Sequence, residues 1–206
     1  FSWVAAESWL DGLPGDGFNI AYEAVDRHVV AGHGQRVALR CLGKQGGQVD
    51  VTYADLQART NAFANAVGSL GIEAGERVFS LIGRVPALYV AVLGALKARC
   101  VFAPLFSAFG PEPIKQRVVI GGGVAILTSK VLYRKKIAPV REEMPTLRYV
   151  ILVDDPDHED LADIPGAVYY EHLMAGQSEQ FAVAPTGREE LALPHFASGT
   201  TGTPQA

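Results

Sequence analysis

Short apolar runs alternate with longer segments of helical period through the middle of this chain, and this alternation constrains its fold more than any other feature. Four runs predict strands that begin at residues 77, 100, 124 and 149: Arg77–Ile82, Cys100–Pro104, Val124–Thr128 and Tyr149–Val153. Their spacing of about 24 residues accommodates a strand, a helix and two short loops. The pattern therefore predicts an α/β fold, with a doubly wound parallel sheet flanked by helices.

Proline and capping signals mark where the helices of this pattern begin. Pro86 and Pro111 suit the first turn of a helix, and Thr52 followed by Asp55 matches a helix-opening capping pattern. Pro139 is expected to break or kink the helix that contains it. The predicted helices are Ile20–Val30, one that runs from Thr52 to Leu70, Ala87–Ala98, one from Pro111 to about Ile120, and Lys130–Glu143; Val37–Cys41 and Val49–Thr52 are predicted to form a hairpin.

Composition narrows the class of protein. With 206 residues, 49% of them hydrophobic and 19% charged, the chain can build one substantial core, which excludes a disordered or fibrous protein. A net charge of -4 offers no basic surface for nucleic acid, and we expect no nucleic-acid partner. The longest uncharged apolar stretch, Val85–Leu96, is far shorter than the roughly 20 residues of a membrane-spanning helix.

Cysteine usage and the first residue bear on location. Cys41 and Cys100 lie far apart and match neither a disulfide framework nor a zinc spacing, so we expect a soluble protein of the reducing cytoplasm. Phe1 is not an initiator methionine and no secretory leader follows it, which predicts that the chain lies within a longer product.

The C-terminal stretch combines glycines with small hydroxylated residues and follows an expected apolar strand, Leu191–Phe196. Glycine allows a backbone to approach an anion closely with its N–H groups turned inward, and hydroxyl groups add further donors. We therefore predict a polyphosphate-binding loop, although composition alone also allows a flexible connector. The lysine and the spacing of the G-x-x-x-x-G-K-[ST] loop are absent. The predicted loop consists of Ser198, Gly199, Thr200, Thr201, Gly202 and Thr203.

A second candidate site is a cluster of five cations within twelve residues. Such a single-sign cluster forms either a solvated helix face or a patch that contacts phosphate, and both interpretations stay open from composition alone. Its members are Lys130, Arg134, Lys135, Lys136 and Arg141.

The order of residues from Phe196 to Pro204 resembles the phosphate-loop signature of the adenylate-forming superfamily, which includes acyl-CoA synthetases, luciferases and peptide-synthetase adenylation domains. Further segments resemble the acetyl-CoA synthetase branch, so the chain is similar to the N-terminal portion of an AMP-forming acyl-CoA synthetase. These segments are Phe18–His28, Val51–Leu56 (the T-Y-x-E-L segment), Gly75–Val78 (the G-D-R-V strand start), Leu105–Glu112 and Ala125–Thr128.

The resemblance implies a two-step reaction in which ATP and Mg²⁺ convert a short carboxylic acid to an acyl-adenylate, and the acyl group then passes to CoA. It further implies that the loop Ser198–Thr203 holds the β- and γ-phosphates, with Thr200 and Thr201 as hydroxyl donors. Arg134, Lys135 and Lys136 fall in the stretch that meets the phosphates of CoA in this family. No catalytic residue or metal ligand is assigned in this chain, and residues 1–206 alone are expected to be inactive.

The resemblance also implies an organisation. All of 1–206 would be the N-terminal part of the large adenylation domain: a lead-in helix and hairpin (1–50), an α/β subdomain (51–184), and a strand with the phosphate loop (185–206). The family usually has lysine and glycine after the loop proline, whereas this chain has Gln205 and Ala206. Two alternatives therefore stay open: a non-catalytic binding or interaction module on the same scaffold, and an enzyme that adenylates aryl or amino acids.

Overall fold

A five-stranded parallel sheet organises the computed structural model, which describes residues 2–43, 46–154, 161–198 and 204–205. In chain order the strands are β1 (Val37–Leu42), β2 (Gln48–Thr52), β3 (Arg77–Leu81), β4 (Val101–Pro104), β5 (Gly123–Thr128), β6 (Tyr149–Leu152), β7 (Ala167–Tyr169), β8 (Ala197–Ser198) and β9 (Pro204–Gln205). The sheet has the order β4-β3-β5-β6-β7, and β1 pairs with β2 in an antiparallel hairpin. This arrangement confirms the predicted fold class and all four predicted strands.

Helices cover both faces of the sheet. They are α1 (Trp3–Glu7), α2 (Tyr53–Ser69), α3 (Pro86–Lys97), α4 (Pro111–Gly121), α5 (Lys130–Leu132) and α6 (Tyr170–Met174), with a helical segment before β1 that contains the π-helical stretches Tyr22–Asp26 and Val29–His33. Along β3, Val78 packs in the cluster that contains α2 and α3, whereas Phe79 packs with α4 on the opposite face. This alternation follows from the period of two in a strand, and it produces a layer of helices on each side.

The segment after β5 shows why Pro139 matters. It starts as α5, continues as a π-helix over Tyr133–Ile137 and ends as a 3-10 helix over Ala138–Glu143. Proline has no N–H to donate to the preceding turn, so a single regular helix cannot run through this position. The predicted break is thus confirmed, and the three short pieces still bury Tyr133 and Ile137 against the sheet.

One strand prediction was wrong. Leu191–Phe196 forms no regular strand, and Ala192 instead accepts one hydrogen bond through its carbonyl from the backbone N–H of Phe102 at 2.9 Å. Pro194 has no N–H with which to continue such a ladder. The segment therefore runs as irregular chain beside β4.

The packing of α2 depends on a cap at its start and a close contact at its middle. At the start, the backbone N–H of Asp55 donates to Thr52 Oγ1 at 3.1 Å, and the N–H of Thr52 donates to the Asp55 carboxylate at 3.2 Å, which confirms the predicted capping box. At the middle, Gly94 of α3 lies so close to α2 that an added Cβ would be 2.8 Å from the carbonyl oxygen of Thr60. Glycine at this position allows the two helices to touch.

A buried polar cluster joins the segment before β1 to α2 and α3. Lys97 Nζ lies 2.7 Å from Asp26 Oδ2 and donates to Asn61 Oδ1 at 2.7 Å, and its side chain is fully buried. Burial lowers the pKa of the Lys97 ammonium, while the Asp26 carboxylate opposes that shift. The amide of Asn61 also donates to the carbonyl of Glu179 at 2.9 Å, so four parts of the chain meet at this point.

Candidate functional site

The carboxyl edge of the sheet contains a topological switch point between β3 and β5. These strands are neighbours, yet the helix after β3 packs on one face and the helical segment after β5 packs on the other. The two strand ends are tied together because Thr128 Oγ1 donates to the carbonyl of Leu81 at 2.8 Å. In open α/β sheets, ligands bind in the crevice that such a reversal produces.

The predicted basic residues Arg134, Lys135 and Lys136 follow β5 at this edge. They lie on the π-helical stretch whose ends, Tyr133 and Ile137, are buried in the core. Arg134 and Lys135 are exposed, whereas Lys136 is half-buried. Arg134 forms an ion pair with Asp163 at 3.7 Å, and both side chains are more than half exposed (52% and 59%), so water screens the pair strongly.

Lys136 differs from its two neighbours in what it contacts. Its ammonium donates to the carbonyl oxygens of Ser107 and Phe109, at 2.5 and 2.8 Å, in the loop that follows β4. Two of the donors that a phosphate could have used are therefore already engaged with the backbone. Sequence reasoning placed Lys136 in the basic cluster but gave no indication of this contact.

The loop after β4 spans residues 105–110 and was not singled out as a site from chemistry alone. Its first residue is anchored, because the N–H of Leu105 donates to the carbonyl of Ser80 at 2.7 Å. Phe106 is 67% exposed and meets Phe109 edge-on, with 5.8 Å between ring centroids. The Arg117 guanidinium lies 4.3 Å from the centre of the Phe109 ring. The available sequence signal was a pair of aromatic residues, Phe106 and Phe109, soon after a predicted strand.

Of the predicted phosphate loop, only the first residue lies within the described part of the chain. Ser198 belongs to β8, where its backbone pairs antiparallel with Pro204 of β9; Gly199, Thr200, Thr201, Gly202 and Thr203 lie outside the described residues. The pairing of β8 with β9 brings the two ends of the predicted loop together.

Phe196, which precedes the predicted phosphate loop, lies at the edge of the sheet opposite to the basic residues. The Phe196 ring stacks on Phe79 with 6.0 Å between ring centroids, and it lies next to Gly121 at the end of α4. Because α4 runs from the carboxyl end of β4 back to the start of β5, its last residue is at the amino edge. Arg134 and its neighbours lie at the carboxyl edge.

Two side chains outside the predicted sites, Cys100 and His195, differ in burial. Burial raises the pKa of the Cys100 thiol to about 12, as expected for an inert core cysteine. His195 is exposed. In the described ranges, no group of three or more His, Cys, Asp or Glu side chains is arranged to hold a metal ion. None of the helices in the same ranges combines the length and the hydrophobicity of a membrane-spanning segment.

A doubly wound parallel sheet with a switch point and a glycine- and threonine-rich stretch defines a nucleotide-binding class of α/β protein. Residues 26–206 match the family described as AMP-binding enzyme, and the chain belongs to that family. This result confirms the resemblance to AMP-forming acyl-CoA synthetases that the sequence motifs indicated.

Individual relatives agree with this assignment. The chain is similar to the acetyl-coenzyme A synthetase of Bacillus subtilis, with 29% identity over 206 residues, which covers 100% of this chain and 35% of the relative. The acetyl-coenzyme A synthetase of Streptomyces avermitilis is 28% identical over 195 residues, with 91% of this chain and 30% of the relative covered. The chain thus spans about a third of the length of these relatives.

Solved structures show the same fold. The crystal structure of a Brucella canis acyl-CoA synthetase superposes with a TM-score of 0.82 and 27% identity, covering 99% of this chain and 35% of that chain. The anthranilate CoA ligase AuaEII, solved in complex with anthranoyl-AMP, has a TM-score of 0.78 at 18% identity, which shows the common fold alone.

Proposed function

We propose that this chain is the N-terminal part of an acid:CoA ligase that uses ATP to convert a short carboxylic acid to an acyl-adenylate and then transfers the acyl group to CoA. The observation that carries the proposal is the family match over residues 26–206, which includes the stretch Ser198–Thr203. The acetyl-coenzyme A synthetases among its relatives support acetate or a similarly short acid as the substrate.

The chemistry explains why such a protein needs a loop of donors. A carboxylate is a poor electrophile because its leaving group would be oxide, and attachment of AMP supplies a better leaving group. The charge of the triphosphate must be neutralised by preorganised donors, and Mg²⁺ supplies further charge stabilisation when bound with ATP. In this proposal the backbone N–H groups and hydroxyls of Ser198–Thr203 bind the β- and γ-phosphates, with Thr200 and Thr201 as the principal hydroxyl donors.

The second substrate, CoA, is assigned to the carboxyl edge. Arg134 and Lys135 are exposed there, so phosphate groups of CoA can approach their cations from solvent. Their neutralisation to Ala is expected to raise the KM for CoA and to leave formation of the adenylate unchanged. An unchanged KM for CoA in the double variant would contradict this assignment.

The division of the chain follows the same proposal. In this division, 1–50 contain the lead-in helix and most of the hairpin, whose second strand continues to Thr52; 51–184 are the α/β subdomain, and 185–206 are the strand and phosphate loop of a large adenylation domain. Residues 1–206 alone are expected to catalyse no pyrophosphate exchange, because the adenine-binding, ribose-binding and lysine-bearing segments of the family have no counterpart among them.

The decisive experiment follows pyrophosphate release by the full-length protein with a panel of short, branched and aromatic acids, with and without CoA. Release that depends on a short acid, together with an acyl-CoA product, is the expected result. Thr200→Ala combined with Thr201→Ala should raise the KM for ATP. Pyrophosphate release without any acyl-CoA product would instead favour an enzyme that adenylates acids for another acceptor.

Gln205 favours a second candidate function, a non-catalytic binding module on the same scaffold. The family usually has lysine at this position, and a neutral amide cannot form the charge-assisted contact with phosphate that lysine forms. Calorimetric titration of the full-length protein with ATP and Mg²⁺ separates the two candidates. Failure to bind ATP at millimolar concentration would eliminate the ligase and leave the binding module.

A further inference from the structure

Among Arg134, Lys135 and Lys136, the proposed CoA contacts explain Lys136 least well, because its ammonium is engaged with the backbone. The loop after β4, residues 105–110, is held at its ends by the bond from Leu105 to Ser80 and by the start of α4. Inside the loop, the N–H of Phe109 donates to the carbonyl of Phe106, and the Phe109 ring contacts Arg117. The Lys136 ammonium reaches two carbonyls in the middle of this loop, those of Ser107 and Phe109. Hydrogen bonds from a charged donor are among the stronger ones in proteins.

These two bonds determine which backbone groups of the loop face outward. In a trans peptide the carbonyl and the following N–H point in opposite directions. The carbonyls of Ser107 and Phe109 turn toward Lys136, so the N–H groups of Ala108 and Gly110 turn away from it. Neither of these N–H groups donates a hydrogen bond to another described residue.

We infer that Lys136 is a positioning residue, which holds the loop 105–110 in the conformation that receives CoA, and that it does not itself bind a phosphate of CoA. This inference rests on the proposed function for the CoA half of the reaction. Arg134 and Lys135 remain the direct contacts, because their cations are exposed. Lys136 acts on the same substrate through the backbone between β4 and α4.

Charge and hydrogen-bond donation can be separated at this position. Lys136→Met removes both, whereas Lys136→Gln keeps two N–H donors for the carbonyls and removes the charge. The matched variants are Lys135→Met and Lys135→Gln, since Lys135 is the adjacent exposed lysine. All four variants are made in the full-length protein, and an unchanged unfolding midpoint shows that each one folds.

The first measurement is amide hydrogen exchange at Phe109, whose N–H donates to the carbonyl of Phe106 at 3.0 Å inside the loop. Lys136→Met is expected to accelerate this exchange about tenfold or more, Lys136→Gln to preserve most of the protection, and the Lys135 variants to leave it unchanged. Unchanged exchange in Lys136→Met overturns the inference. This measurement requires no catalytic activity, so it stands even where the proposed function fails.

The second measurement is the KM for CoA at several salt concentrations, with pyrophosphate exchange in the absence of CoA as the reference for adenylation. Lys136→Met is expected to raise this KM about tenfold, with its salt dependence and the pyrophosphate exchange unchanged, and Lys136→Gln to restore most of the loss. The Lys135 variants should weaken the salt dependence, since they remove an exposed charge. If Lys136→Gln raised the KM for CoA as much as Lys136→Met does, and if the KM of both variants depended less on salt, Lys136 would contact a phosphate directly. That result would overturn the inference. Absence of any CoA-dependent activity in the unsubstituted protein contradicts the proposed function, and exchange at Phe109 then decides the role of Lys136.

Discussion

Gly94 tests how tightly α3 packs on α2. Alanine usually stabilises a helix interior relative to glycine by about 0.5–1 kcal/mol. At Gly94, however, the new methyl group would lie 2.8 Å from both the Thr60 carbonyl oxygen and Phe63 Cβ, and neither atom is the end of a flexible side chain. Overpacking of this kind costs about 1–3 kcal/mol, so we expect Gly94→Ala to destabilise the protein by about 1–2 kcal/mol.

Gly68 of α2 supplies a matched control. It is exposed, and an added Cβ would have no neighbour within 4 Å. Gly68→Ala should therefore leave the free energy of unfolding unchanged or raise it by up to about 1 kcal/mol. Urea denaturation of both variants and the unsubstituted protein measures the difference. A Gly94→Ala variant at least as stable as the unsubstituted protein would refute the reasoning from the close helix contact.

Three further predictions concern burial and capping. Lys97→Met leaves the partner carboxylate of Lys97 buried without its counter-charge and should cost about 3–5 kcal/mol of unfolding free energy, measured by denaturation; a loss below about 1 kcal/mol would contradict the buried pair. In the native protein at pH 8, a maleimide reagent should label Cys41 and spare Cys100, because burial raises the pKa of Cys100 to about 12 and leaves almost no thiolate. Mass spectrometry of peptides measures the labelling, and a labelled Cys100 in the native protein would contradict the prediction. Thr52→Ala should reduce stability at neutral pH, because the Thr52 hydroxyl caps α2 and lowers the pKa of Asp55 in the folded state. The pKa-linked contribution is present above the ordinary aspartate pKa and disappears as the pH falls through the lowered one, so denaturation at several pH values should show the stability difference narrowing in acid to the part due to the N-cap bond.

Much of the fold follows from local sequence signals. Strands β3 to β6 are continuous apolar runs with turn signals on both sides, and α2, α3 and α4 each begin with a recognisable cap or proline. Strand β7 was missed because its three residues, Ala167–Tyr169, are too few to show a period of two. It becomes a strand through its pairing with β6, which sequence periodicity does not reveal.

The strand predicted over Leu191–Phe196 was wrong for the converse reason. Its composition is as apolar as that of a true strand, but Pro194 removes a donor, and the segment makes a single described backbone hydrogen bond to β4. Sheet membership here depends on an available ladder of partners. Apolar composition therefore overestimates strand content wherever proline interrupts the run.

The candidate site was likewise predictable from the sequence only in part. Residue type and order indicated Ser198–Thr203 and the basic segment, because anion binding leaves a compositional signature. The separate role of Lys136 is invisible at that level, since Lys135 and Lys136 are the same residue type. The two lysines differ in their contact with the loop after β4, which lies near Lys136 in space but far from it in sequence.

The fully buried Lys97 ammonium has a consequence for how the helices find their alignment. A shift of α2 by one turn along α3 would move Asn61 by about 5.4 Å, beyond the reach of the ammonium. An apolar interface would tolerate such a slip with modest loss, whereas this one would take the Asn61 oxygen away from a buried ammonium and leave Asp26 as its remaining acceptor. Correct alignment is thereby distinguished from its nearest competitor by this polar contact as well as by the close approach of the two helices at Gly94.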